Sequence, residues 1–195
     1  MGHYFTNDDS LRSNTKIHDV LIANKHYSFK TDHGVFSKKG LDFGSRLLIE
    51  TVMKYPYHKL LDLGCGYGPI GIILKSIQPQ ALVDMVDINE RAIELAKLNA
   101  KLNNTDVYPF VSDGFNQVKD QYDVIVTNPP IRAGKAVIYR FFEDAKKHLM
   151  PKGFLYIVIQ KKQGAPSALA FCQSVYSSVE VVEKKSGYQI IRCGL

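Results

Sequence analysis

At 195 residues and 22.0 kDa, with 45% hydrophobic residues, the chain suits one domain with a single core and is not disordered as a whole. No apolar run approaches the roughly 20 residues of a membrane span, the polar start Met1–Thr15 is not a signal peptide, and the cysteines (Cys65, Cys172, Cys193) are odd in number and lack metal-ligand spacing, so a cytoplasmic, reduced, metal-free protein is expected. A net charge of +6 and a pI near 9.1, carried by pairs such as Lys38-Lys39, Lys146-Lys147, Lys161-Lys162 and Lys184-Lys185, favour a polyanionic partner.

Residues 1–24 alternate polar and apolar side chains only weakly and give no firm element. His26-Tyr27-Ser28-Phe29-Lys30 alternates with a strand's period of two, and Gly34-Val35-Phe36-Ser37 is a second short extended piece. Asp42 can cap a helix whose apolar stripe is Leu47, Leu48, Thr51 and Val52 and which ends near Tyr55-Pro56. Leu60, Leu61 and Leu63 then form a short run suited to a buried parallel strand, ending in Gly64, Gly66 and Gly68. Pro69 opens a helix with Ile70, Ile73, Leu74 and Ile77 at helical spacing.

The pattern repeats. A strand over 81–87 precedes a helix over 89–102, with Asn89 as its N-cap and Ile93, Leu95, Ala96, Leu98 and Leu102 on its apolar side. Strands over 107–111 and 122–127 follow, then a helix over 135–149, a Pro151-Lys152-Gly153 turn, a strand over 154–159 and a helix over 167–175. Two closing runs, 179–183 and 188–193, are joined through Ser186-Gly187, too short a link for a parallel return. The expectation is an α/β, Rossmann-like fold with a mostly parallel seven-stranded sheet and one antiparallel C-terminal strand. One domain is expected, with residues 1–40 as an N-terminal extension of a core over 41–195.

Strand, glycine turn and helix place a ligand at the carboxyl end of the first core strand. Asp62 lies inside that strand, where a pyrophosphate binder would avoid negative charge. Asp87 ends the next strand, about 20 residues beyond the loop, where an acceptor for ribose hydroxyls belongs. Acid, glycines and second acid together point to a nucleoside.

The order L-D-L-G-C-G-Y-G, V-D-I-N, S-D-G-F and N-P-P-I resembles the class I S-adenosylmethionine-dependent methyltransferases. G-V-F-S-K-K-G-L-D-F-G-S (34–45) and N-P-P-I-R-A-G-K (128–135) resemble in particular the RsmC-like group, which methylates the exocyclic N2 of guanine in ribosomal RNA. The resemblance runs from Gly34 to the C-terminus; several of the group carry a degenerate second domain in front, and this chain resembles a single-domain member. It implies S-adenosylmethionine as cofactor and ribosomal RNA or a ribosomal subunit as partner, and leaves the oligomeric state open.

The same resemblance assigns roles. Gly64, Cys65, Gly66 and Gly68 would pass beneath the methionyl and ribose portion of the cofactor, with Asp62 near its ammonium and Asp87 on the ribose hydroxyls. Ile88, Asp113, Gly114 and Phe115 would frame the adenine. Asn128, Pro129, Pro130 and Ile131 would form the catalytic turn. A planar exocyclic amine is a poor nucleophile, and the Asn128 side-chain oxygen and Pro129 carbonyl can accept its two N–H groups and aim its lone pair, so positioning dominates and no general base is expected. Ile131 stands where many amino-methyltransferases carry an aromatic residue, so Phe36 is the candidate to cover the base, and Arg132 and Lys135 to meet phosphates. Adenine N6 and a protein glutamine amide need the same pair of acceptors, and a catalytically silent cofactor-binding RNA assembly factor is the remaining alternative.

Overall fold

The computed structural model describes residues 15–32 and 40–195. The chain begins with a hairpin, β1 (Lys16–Ile22) and β2 (Lys25–Thr31), joined by Ala23-Asn24 with both residues at positive φ. Alternating elements then build the main layer: α1 (Phe43–Val52), β3 (Lys59–Leu63), α2 (Pro69–Ile77), β4 (Leu82–Asp87), α3 (Glu90–Leu102), β5 (Tyr108–Val111), β6 (Tyr122–Thr127), α4 (Lys135–Ala145), β7 (Leu149–Gln160), α5 (Ala165–Val175), β8 (Ser178–Lys185) and β9 (Tyr188–Gly194). The seven-stranded sheet has the order β5-β4-β3-β6-β7-β9-β8.

Strands β3 to β7 pair in parallel, and β9 enters antiparallel between β7 and β8. The expected single antiparallel strand is therefore β9, and β8 again runs with the parallel set. Strand order reverses between β3 and β6, where the crossovers leave in opposite directions and a crevice opens at the carboxyl ends.

Both faces of the sheet are covered, which is why its central strands are near-continuous apolar runs. One core joins the hairpin, α1, α2 and α3 through residues such as Phe29, Leu48, Leu60, Ile73 and Ala96. The other joins α4 and α5 to the opposite face through Leu61, Val86, Phe142, Ile157 and Cys172. Among the described residues no helix is long and apolar enough to cross a membrane.

Three elements differ from expectation. The first is β1, where the sequence offered no firm element: Ile17 and Leu21 face solvent at 65% and 49% exposure while Val20 and Ile22 are buried, so both faces are apolar and the alternation is hidden. Second, α4 stops at Ala145; Lys146–His148 tighten into a 3-10 turn, which prolongs the helical spacing, and Leu149 already belongs to β7. Third, Pro151-Lys152-Gly153 is not a free turn but an irregular bend within β7, where pairing jumps from Tyr122↔Leu149 to Val124↔Phe154. Gly153 passes so close to β6 that a Cβ there would sit 2.8 Å from the Tyr122 carbonyl oxygen.

The hairpin is fastened to α3. Asn99 Oδ1 accepts from the Lys30 N–H at 2.7 Å and Asn103 Oδ1 from the Ser28 N–H at 3.1 Å, while their amide groups donate to the Lys30 and Ser28 carbonyls. Asn99 also donates to the Tyr67 carbonyl at 2.8 Å, inside the glycine loop. Arg91 closes the end of β2 by an ion pair to the nearly buried Asp32 at 2.6 Å.

Candidate active site at the carboxyl edge of the sheet

The loop after β3 is built on backbone geometry. Gly64, Gly66 and Gly68 all lie at positive φ, and the Gly64 and Cys65 N–H groups both donate to the Val86 carbonyl, at 2.8 and 2.9 Å. A Cβ on Gly64 would meet nothing within 4 Å, so open space lies above the strand end there. Cys65 turns its side chain into the core, where burial pushes its thiol up, and its Sγ donates to the Gly66 carbonyl at 3.6 Å within the loop.

Two acids face this loop. Asp87 Oδ2 accepts from the Gly66 N–H and its Oδ1 from the Asn89 N–H, both at 2.9 Å, which fixes the carboxylate at the end of β4. Asp62 is fully buried; its Oδ2 accepts from the Gly71 N–H in the first turn of α2 at 2.9 Å, and its Oδ1 has no partner among the described residues. Burial raises its pKa to about 7, the Gly71 N–H opposes that rise, and the Asp87 charge adds to it. A buried carboxylate oxygen without a partner is costly unless a cation or donor reaches it. Ile88, 37% exposed, borders the same edge.

Next along the edge, Asp113 is half-exposed and its Oδ1 accepts from Arg140 at 2.7 Å. Gly114 lies at positive φ, pressed against the Phe141 ring at 2.8 Å from where a Cβ would be. Phe115 turns inward: it is 8% exposed and stacks on His148 with ring centroids 4.6 Å apart.

The turn after β6 completes the edge. Asn128 Nδ2 donates to Ser45 Oγ at 2.9 Å and to Asp42 Oδ1 at 3.3 Å, and that same Asp42 oxygen caps α1 through the Ser45 N–H at 3.0 Å. A carboxylate only accepts, so the side of the Asn128 amide facing Asp42 is its NH2. Its Oδ1 is thereby turned away, and it accepts no hydrogen bond among the described residues. The Pro130 and Ile131 carbonyls are taken by the Ala133 and Gly134 N–H groups, whereas the Pro129 carbonyl accepts none among the described residues. Two acceptors on consecutive residues of the turn are thus left without a donor among the described residues. Thr127 Oγ1 donates to the Leu63 carbonyl at 2.9 Å and ties this turn to the glycine loop. Ile131 leans on the core below, and Arg132 and Lys135 are exposed. Phe36 lies outside the described residues.

The sequence reading missed Ser45, Thr127, Asn99 and Arg140. Ser45 and Asp42 sit in the quoted D-F-G-S stretch, so that stretch held the signal; the other three show nothing local.

Sheet order, glycine loop and paired acids together define a class I methyltransferase fold. The family model "Methyltransferase small domain" matches residues 26–192, and the chain belongs to that family. It is 46% identical over 194 residues to the uncharacterized protein YbxB of Bacillus subtilis, with 97% of this chain and 96% of that protein covered. It is 31% identical over 182 residues to the ribosomal RNA small subunit methyltransferase C of Psychromonas ingrahamii, covering 91% of this chain but 51% of that one. The chain thus spans about half the length of that larger relative. A solved structure of the T. thermophilus 16S rRNA N2 G1207 methyltransferase (RsmC), in complex with AdoMet and guanosine, superposes with a TM-score of 0.83 at 24% identity, over 94% of this chain and 51% of that one.

Proposed function

We propose that the protein transfers a methyl group from S-adenosylmethionine to the exocyclic N2 amine of a guanine in ribosomal RNA, as a single methyltransferase domain. The observation that carries this reading is the open acceptor pair, Asn128 Oδ1 and the Pro129 carbonyl, with the amide held in one orientation by Asp42 and Ser45. The relatives named for small-subunit ribosomal RNA methylation, and the neighbour bound to AdoMet and guanosine, support guanine as the acceptor.

S-adenosylmethionine supplies a methyl group on a sulfonium sulfur, and the residues fit it as a cation. The orphaned Asp62 oxygen suits its ammonium, the Asp87 carboxylate its ribose hydroxyls, and the open space above Gly64 its close passage. Asp113, Gly114 and Ile88 border the adenine, Cys65 and Gly66 supply backbone, and Phe115 supports the turn from the core. On the acceptor side, Asn128 and Pro129 each take one N–H of the amine. This draws the nitrogen toward tetrahedral geometry and points its lone pair across the crevice. Pro129 and Pro130 stiffen the turn, since neither can rotate about φ.

The test is transfer of labelled methyl to hypomethylated ribosomal RNA, ribosomal subunits and total protein, followed by nucleoside analysis. Label in N2-methylguanosine is expected, and Asn128→Ala should lower turnover by about 10²-fold or more while leaving cofactor affinity unchanged. Label in N6-methyladenosine or in protein, or full turnover by Asn128→Ala, would overturn the reading.

A further inference from the structure

The carboxyl edge of the sheet is electrically divided at Asn128. On one side stand the acids Asp113, Asp87 and Asp62 at the ends of β5, β4 and β3, suited to a cationic cofactor. On the other side the strand ends carry basic side chains: Arg132 and Lys135 beyond β6, Lys161 and Lys162 beyond β7, Lys184 and Lys185 at the end of β8, while Asp42, the acid that meets this side, is engaged by Asn128 and by the Ser45 N–H. From Asn128 onward the chain has eleven basic residues against four acidic, a net of +7; before it, fourteen against fifteen give −1. The whole positive excess of the protein therefore lies in its last 68 residues.

The four acids of that part are placed away or held. Glu143 and Asp144 lie in the last turn of α4, toward the amino edge, with Asp144 on Lys147; Glu180 is taken by Arg192, and Glu183 faces Lys54 at 3.9 Å. The six edge cations are all exposed, and none is in an ion pair among the described residues. The two lysine pairs are brought together by the backbone, since the Lys161 N–H donates to the Gly187 carbonyl at 2.7 Å. They are also coupled to the acceptor turn. Tyr188, next to Gly187, packs on Phe43 with centroids 5.4 Å apart, one residue from the Asp42 that holds Asn128.

We infer that Lys161, Lys162, Lys184 and Lys185 form a docking ridge for the phosphate backbone of the substrate RNA, continuous with Arg132 and Lys135. This rests on the RNA reading above. From β6 to β8 the edge crosses three inter-strand steps, about 14 Å, long enough to meet more than one consecutive phosphate of a strand laid along it. Uncompensated cations this close repel one another, and displacing their counterions with phosphates is the physical gain. The ridge positions the strand without reading its sequence, while the acceptor pair selects the base.

The experiment measures anisotropy of a fluorescein-labelled RNA hairpin between 50 and 200 mM KCl, on the intact chain and on a variant combining Lys161→Ala, Lys162→Ala, Lys184→Ala and Lys185→Ala. Lys101→Ala with Lys119→Ala, at the amino edge, is the control. The ridge variant should bind about tenfold or more weakly at 100 mM, with its log–log salt slope reduced by about one unit per lost contact. Melting temperature and S-adenosylmethionine affinity should be unchanged, and the control should match wild type. An unaltered slope in the ridge variant, an equal loss in the control, or no salt-dependent binding by wild type would each overturn the ridge. Salt-dependent binding lost in the ridge variant, with no label in guanine from any substrate, would keep the ridge and overturn the acceptor assignment instead.

Discussion

The orientation of Asn128 depends on a single charged neighbour, and this can be tested by changing one atom. In Asn128→Asp the amide nitrogen becomes a carboxylate oxygen 3.3 Å from Asp42 Oδ1. Two unit charges at that distance repel by about 5 kcal/mol at an effective dielectric of 20 and about 1.3 kcal/mol in bulk water. Both residues are half-buried, so a loss of about 2–3 kcal/mol is expected. Asp42→Asn alone should be nearly neutral, because its Oδ1 can keep capping the Ser45 N–H and asparagine is as good a cap as aspartate. Combining the two removes the charge–charge repulsion, and Ser45 Oγ can donate to the new carboxylate. The pair should therefore couple by about 2 kcal/mol in urea unfolding of the four proteins, and the double variant should recover methyl transfer that Asn128→Asp loses. Additive stabilities, or equal activity of Asn128→Asp and the double variant, would refute the argument that Asp42 sets the amide.

Two further outcomes follow from the cofactor side. Asp62 is protonated in the fold up to about pH 7 but ionises near 3.8 when unfolded, so the unfolded state binds fewer protons between those values and stability falls as pH rises through them, by up to about 4 kcal/mol. Asp62→Asn should flatten that slope in thermal melts, and should weaken S-adenosylmethionine by about tenfold or more above pH 7, where the wild-type carboxylate is charged; an unchanged slope would refute the assignment. Gly64→Ala, at φ +75° with open space above, should cost about 1–2 kcal/mol and also block cofactor binding by calorimetry. Gly68→Ala, whose methyl would meet Met85 at 2.8 Å, should lose more stability, and similar cofactor affinity in Gly64→Ala and wild type would contradict the open-space reading.

What the sequence displayed was whatever is encoded locally. Leu60 to Ile77 carries strand, turn and helix in one contiguous stretch, and the structure returns them nearly residue for residue. Asp87 and Asn128 were legible because each ends a buried strand, and strand ends in this topology converge on one edge. Side-chain direction was not legible. Phe115 and Cys65 occupy positions beside the site, yet their side chains turn to the core, a choice made by Phe141, His148 and the helices behind them. Contacts across long sequence separations were hidden too: Asn128 with Ser45 is 83 residues apart and Asn99 with Lys30 is 69. β1 escaped notice for another reason, since its turn uses Ala23-Asn24 at positive φ where a glycine would have announced a hairpin.

The fastening of that hairpin is a matter of commensurate rulers. Four residues of an α-helix advance about 6.0 Å, and two residues of a strand about 6.8 Å. Asn99 and Asn103 are one helical step of four apart, and they serve Lys30 and Ser28, one strand step of two apart. The helix thereby stands in for a third strand, closing an edge that would otherwise be open to another chain. The mismatch of about 0.8 Å per rung is absorbed over two rungs and would double over a third. Leu95 and not an asparagine occupies the preceding helical step, and it is buried. A two-stranded hairpin is marginal by itself; here two amide side chains give it a fixed seat, and through Tyr67 they lend the glycine loop that same fixed reference.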